Sequence, residues 1–78
     1  MIRVTFDLCT YTVNKKGVKM LTTRYSSYDT LFFNDKRDAR IFANGLVAGL
    51  AFKYKNAAVR LNIVSTESGI SSTEEITI

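Results

Sequence analysis

The sequence predicts an α+β fold: an antiparallel β-sheet of three to five strands with one helix packed on one face, in the order β-β-(β)-α-β-β. Three observations predict it. Residues 2–13, 18–26 and 57–66 alternate side chains in the period of a strand. Residues 35–55 switch to a helical period. Short turn-forming tetrads join the runs.

In the first strand Ile2, Val4, Phe6 and Leu8 lie on one side, and Arg3, Thr5, Asp7, Cys9 and Tyr11 on the other. Asn14-Lys15-Lys16-Gly17 reads as a hairpin turn, with Gly17 free to take positive φ. The return strand sets Val18, Met20 and Thr22 against Lys19, Leu21, Thr23 and Tyr25. Its faces are weakly polarised, which leaves the register open. After Ser26-Ser27, residues 28–33 fit either a short third strand or the end of the second beyond a bulge.

Asn34 is the expected N-cap of the helix. Asp35 and Asp38 fall in its first turn and Lys53 and Lys55 in its last, each sign suiting the dipole at that end. Asn56 can end the helix in the left-handed conformation. Beyond it, Val59, Leu61 and Ile63 alternate with Ala58, Arg60, Asn62 and Val64. Glu67-Ser68-Gly69 is a turn, and residues 72–78 make a last strand with Ile76 and Ile78 on one side.

The helix carries more apolar surface than a sheet-packed helix requires. At 100° per residue Ala39, Phe42, Ala43, Leu46 and Leu50 form one stripe, expected to face the sheet with Phe42 and Leu46 at its centre. Ile41, Gly45, Ala48 and Phe52 fall roughly opposite, where a solvated face would carry Lys, Glu or Gln. Burying Ile41 or Phe52 would be worth ~1.5–3 kcal/mol each. Gly45 and Gly49 each cost about 1 kcal/mol of helix propensity relative to Ala. Such residues are tolerated where another backbone comes close. Either the hairpin or the last strand curls over this face, or its residues are scattered surface hydrophobes of the ordinary kind, or it is an interface for a second copy or another partner.

Seventy-eight residues make one domain, residues 1–78. A core this small supplies only ~3–5 kcal/mol of net stability, so such chains often lean on disulfides, metals or self-association. Cys9 is the sole cysteine and histidine is absent, which rules out an intramolecular disulfide and a structural zinc site. Good packing or homodimerisation remains. An apolar content of 46% with 23% charged residues is that of a folded chain. With no run of about 18 apolar residues, no membrane span is expected. The N-terminus has an acid, Asp7, in its apolar stretch and lacks the pattern of a signal peptide, so the expected compartment is the cytoplasm.

The net charge is +4 and the pI near 9.5. This permits contact with phosphate or an acidic protein surface, and it argues against an acidic DNA mimic. Lys15, Lys16 and Lys19 gather at the hairpin tip, Lys36, Arg37 and Arg40 at the helix start, and Lys53, Lys55 and Arg60 near its end. The first six are the candidate contacts to a partner or to nucleic acid. Tyr11, Tyr25, Tyr28 and Tyr54 could stack on bases. No ribonucleoprotein signature, GXXG clamp or zinc finger is present, so any nucleic-acid contact is expected at the backbone.

Catalysis is not expected, and neither is a cofactor or metal. Without histidine the commonest general base is missing, and Cys9 has no His partner. The carboxylates fall mostly in turns, caps and the last strand, where Glu74-Glu75 reads as a solubility device for an edge strand. Gly45-x-x-x-Gly49 lies inside the helix and is not a phosphate loop.

A compact hairpin, then Asn34-Asp35-Lys36-Arg37-Asp38-Ala39-Arg40-Ile41-Phe42-Ala43, then a strand from Val59 to Val64 together cover most of the chain. In this layout the chain resembles very short bacteriophage and mobile-element proteins, including some anti-CRISPR proteins and phage inhibitors of host enzymes. The resemblance implies a non-enzymatic protein of the host cytoplasm that occludes a host protein or nucleoprotein complex. It transfers no functional residue. The alternatives are a backbone-reading nucleic-acid-binding domain and a structural or assembly subunit.

Overall fold

A computed structural model describes residues 1–26 and 30–78. Its elements run β1 (Ile2–Val13), β2 (Lys19–Ser26), β3 (Leu31–Phe33), α1 (Lys36–Ala51), β4 (Ala57–Ser65) and β5 (Ser71–Thr77). All strand pairings are antiparallel. The five strands form one sheet in the order β2-β1-β4-β5, with β3 also on β1. The helix covers one face. The expected α+β architecture is therefore the one observed.

β1 organises the sheet. Along one edge it pairs with β4 from Ile2↔Ser65 to Thr10↔Ala57. Along the other, its first residues pair with β3 and its later ones with β2. The segment before the helix thus contains a separate third strand. Its expected first residues, Tyr28 and Asp29, lie outside the described residues. Asn14 builds the hairpin turn: its Oδ1 accepts from the N–H groups of Lys16 and Val18, at 2.9 and 3.0 Å, and Gly17 has φ +81°. Gly69 also takes positive φ, at 72°, in its expected turn. Asn56 takes 58°, but it lies past the helix, which ends at Ala51 with Phe52 as its C-cap, so Asn56 turns the chain into β4 and does not end the helix.

Phe6, Val4, Val59, Leu61 and Ile63 from the sheet meet Ala39, Ala43, Val47 and Leu50 from the helix in one buried core. The sheet half of this core is the one the alternation predicts. The helix half is turned. Val47 is buried, Leu46 is half-buried, and Phe42 is 43% exposed, so the expected centre of the stripe is its margin. The buried arc is built from small side chains, which let the helix approach the sheet closely. The Phe42 ring instead lies across the helix edge, 5.2 Å from Phe6 and 5.8 Å from Phe33 between centroids.

Both helix ends also differ from expectation. Asp35, not Asn34, is the N-cap: its backbone is extended and its Oδ1 accepts from Asp38 N–H at 3.0 Å. The helix stops at Ala51, and its last turn holds no basic residue. The N–H groups of Lys53 and Tyr54 both donate to the Leu50 carbonyl, at 3.0 and 2.9 Å, and Tyr54 packs against the core. That anchor turns the chain back to the sheet, where Tyr11 N–H donates to the Asn56 carbonyl at 3.0 Å. Lys53 and Lys55 therefore lie beyond the helix.

The face away from the helix is curled. Lys19 Nζ lies 3.0 Å from Glu75 Oε1, although Lys19 pairs with Val13 and Glu75 is in register with Asp7 through Arg60. On a flat sheet those two residues would stand about 20–25 Å apart. Twist, together with the irregularity between Leu8 and Cys9, swings the hairpin over this face. Cys9 and Ala58 beneath it are fully buried, where the alternation alone would leave them exposed.

Candidate functional site

The outer face of α1 is the largest feature left unaccounted for by the fold. Phe52 is 94% exposed and Ile41 60%. Gly45, Ala48 and Gly49 complete the face, and all three are exposed. A Cβ added at Gly45 or Gly49 would meet open space. Among the described residues neither the hairpin nor the last strand covers this face. Alanine at either glycine would fit and would favour the helix by about 1 kcal/mol, so packing within the chain gives no reason for glycine there.

Beside Phe52 the face dips. Ala48, Ala51, Phe52 and Ile78 wall an apolar hollow of about 280 Å³. Ile78 was expected to share a strand side with Ile76. Both do lie on the helix side: Ile76 packs against the core, and Ile78, one residue past the end of β5, forms one wall of the hollow. A second cleft of about 240 Å³ shares Ala51 and Ile78 and continues to Tyr11, Tyr54, Lys55 and Asn56. Neither Ala51 nor Ile78 stood out in the sequence. Only the apolar identity of Ile78 hinted at a role.

The six basic candidates do not form one patch. Lys15 and Lys16 are exposed at the hairpin tip, beyond the C-terminal end of β1. Lys36, Arg37 and Arg40 follow β3, which pairs at the N-terminal end of β1. About 35 Å of strand separates the two groups. Two of the six are engaged within the chain. Lys19 binds Glu75 and lies 4.7 Å from the Tyr11 ring centroid. Arg40 makes a two-pronged contact with Glu74, Nε to Oε1 at 2.8 Å and Nη2 to Oε2 at 3.1 Å. That contact holds the Glu74 carboxyl below the usual carboxylate range, mainly through the hydrogen bond.

A different cationic cluster emerges that no spacing in the sequence announces. Lys53 Nζ donates to Tyr25 Oη at 2.9 Å, and the Tyr25 and Tyr54 hydroxyls lie 3.2 Å apart. Arg24 lies 5.5 Å from the Tyr54 ring centroid, its Nε donating to Thr10 Oγ1 at 3.0 Å. The Lys53 hydrogen bond lowers the Tyr25 pKa, and the same contact raises that of Lys53. The cations already lie over the tyrosine faces, so this cluster fastens β2 to the chain after the helix.

On the curled face Asp7 Oδ2 accepts from Arg60 Nε and Nη2 and from Asn62 Nδ2, at 3.1, 2.9 and 3.1 Å. Its hydrogen bonding is taken up by neighbours on β4. Cys9 Sγ lies 3.5 Å from the Asp7 carbonyl and 3.9 Å from the Thr23 hydroxyl. Among the described residues no three Cys, Asp or Glu side chains converge as metal ligands would. Nor, among the described residues, is any helix long and apolar enough to cross a membrane. Comparison of the chain with protein-family models, with curated proteins and with solved structures gives no match in any of the three.

Proposed function

We propose that this chain is a non-enzymatic binding protein, of the kind phages and mobile elements encode, that inhibits or modulates a host protein or nucleoprotein complex in the host cytoplasm by occlusion. One observation carries the reading: the outer face of α1, from Ile41 to Phe52, is apolar and uncovered among the described residues. Side chains of that size are worth ~1.5–3 kcal/mol each when removed from water. The hairpin supplies a second arm. It carries Lys15 and Lys16 exposed at its tip, and suits an acidic or phosphate-bearing surface.

A backbone-reading nucleic-acid-binding domain is the second reading, favoured by the same exposed lysines. The dispersal of the other cations and the engagement of Lys19 and Arg40 with carboxylates weigh against it.

The test is affinity capture from a bacterial lysate with mass spectrometry, run with the wild type, Phe52→Glu and a Lys15→Glu/Lys16→Glu double variant. A specific partner retained by the wild type and lost from at least one variant is expected. If none is retained, or both variants retain it equally, the occlusion reading fails. Binding to random duplex DNA that weakens with salt, at a log–log slope of about 0.9 per phosphate neutralised, would move the assignment to nucleic acid.

A further inference from the structure

We propose that the outer face of α1 is built to receive a second copy of this chain, in an antiparallel helix pair about a two-fold axis. The inference rests on the reading of the chain as a binding protein, but it gives this face to a second copy and leaves the exposed hairpin lysines to meet the target.

The face is self-complementary in its own sequence. Ile41 and Phe52 stand equally far from the midpoint between residues 46 and 47, and so do Gly45 and Ala48. It therefore reads large, small, small, large in both directions. A two-fold axis through that midpoint sets Ile41 against the partner's Phe52 and Gly45 against the partner's Ala48, and closes the contact twice. The shape agrees with the pattern. Ile41 is a projecting knob, and the hollow of about 280 Å³ beside Phe52 lies about 16 Å further along the helix. In the antiparallel pair each Ile41 meets the other copy's hollow.

The glycines point the same way. Helix axes cross at 8–10 Å, and the distance depends on the side chains at the contact. Gly45 and Gly49 hold the middle of the face open at a cost in helix propensity that the chain's own packing does not require. No charged side chain lies among Ile41, Gly45, Ala48 and Phe52, so a second copy brings no unpaired charge into the contact.

The area is sufficient. A large aromatic side chain offers roughly 150–250 Å². On that scale the exposed parts of Phe52, Ile41 and Ile78 come to roughly 430 Å² per copy, and the exposed Gly45, Ala48, Gly49 and Ala51 between them bring the patch to about 500 Å², so a pair would bury about 1,000 Å², the threshold of a specific interface.

The test is sedimentation equilibrium on the wild type, Ile41→Glu, Phe52→Lys and an equimolar mixture of the two variants, at concentrations up to about 100 µM. Both positions are exposed, so the variants should fold, and circular dichroism melts verify it. The wild type should be a dimer, and each variant should dimerise at least about tenfold more weakly. The mixture should recover dimer, because one of its two contacts pairs the introduced opposite charges and the other is the intact Ile41 with Phe52. A monomeric wild type, a variant that dimerises like the wild type, or a mixture that stays monomeric overturns the proposal. A monomeric wild type that captures a partner through Phe52 would leave the occlusion reading standing. A dimer that captures nothing would do the reverse.

Discussion

Arg40 shows how little charge spacing says about charge use. In sequence it joins Lys36 and Arg37 as a contact to something outside the chain, yet it grips Glu74 on β5 with two hydrogen bonds. Because the folded carboxyl has a pKa below that of the free side chain, folding favours its ionised form. That contribution is present above the ordinary glutamate pKa of about 4.3 and is lost as pH falls through the folded value. Urea melts of the wild type and Glu74→Gln over a pH series should differ at neutral pH and converge in acid. Curves that stay parallel would remove Glu74 from the pH response. Residue-level chemistry is legible where the local backbone decides it, as with Asn14 and Gly17. It was not legible at the N-cap. Asn34 and Asp35 are both competent acceptors, and the choice falls on Asp35 because β3 ends where Phe33 meets Ile2.

At the level of elements the strands were the clearer half. Residues 57–65 put Ala57, Val59, Leu61 and Ile63 on one parity, and all four are in the core. The buried arc is rotated by about 40° from the stripe the spacing predicts, at 100° per residue, because hydrophobic weight and buried position do not coincide. Phe42 draws the apparent stripe towards itself, while the sheet accepts the slimmer arc of Ala39, Ala43, Val47 and Leu50. Stability should follow burial, not hydrophobicity. Leu50→Ala removes a buried side chain and should cost ~2–5 kcal/mol, a large share of what a small domain has. Leu46→Ala, at a half-buried site, should cost distinctly less, and Ile41→Ala less again. Thermal melts in the order Leu50→Ala, Leu46→Ala, Ile41→Ala from lowest to highest are expected. A Leu46→Ala variant melting below Leu50→Ala would mean that the helix seats on its other margin. The outer face, by contrast, was legible as uncommitted apolar surface, because four residues at helical spacing suffice to define it.

Across the whole molecule, what the sequence could not convey is closure between distant residues. Nothing local to Lys19 or Glu75 foretells that they meet, and a periodic strand pattern describes a flat sheet. The curl decides the fate of Cys9, which alternation places towards solvent and the hairpin seals off. The consequence is kinetic: the chain carries its own clock for hairpin opening. A thiol reagent can reach Cys9 only when β2 lifts, so the alkylation rate of this single cysteine counts opening events. Lys19→Ala and Glu75→Ala release the clasp at the exposed rim, so they should accelerate labelling several-fold while leaving the melting temperature nearly unchanged, as exposed substitutions usually do. Should labelling instead slow and quicken only in step with global unfolding, hairpin and sheet move as one cooperative unit, and the hairpin is a rigid arm that meets its target without first opening.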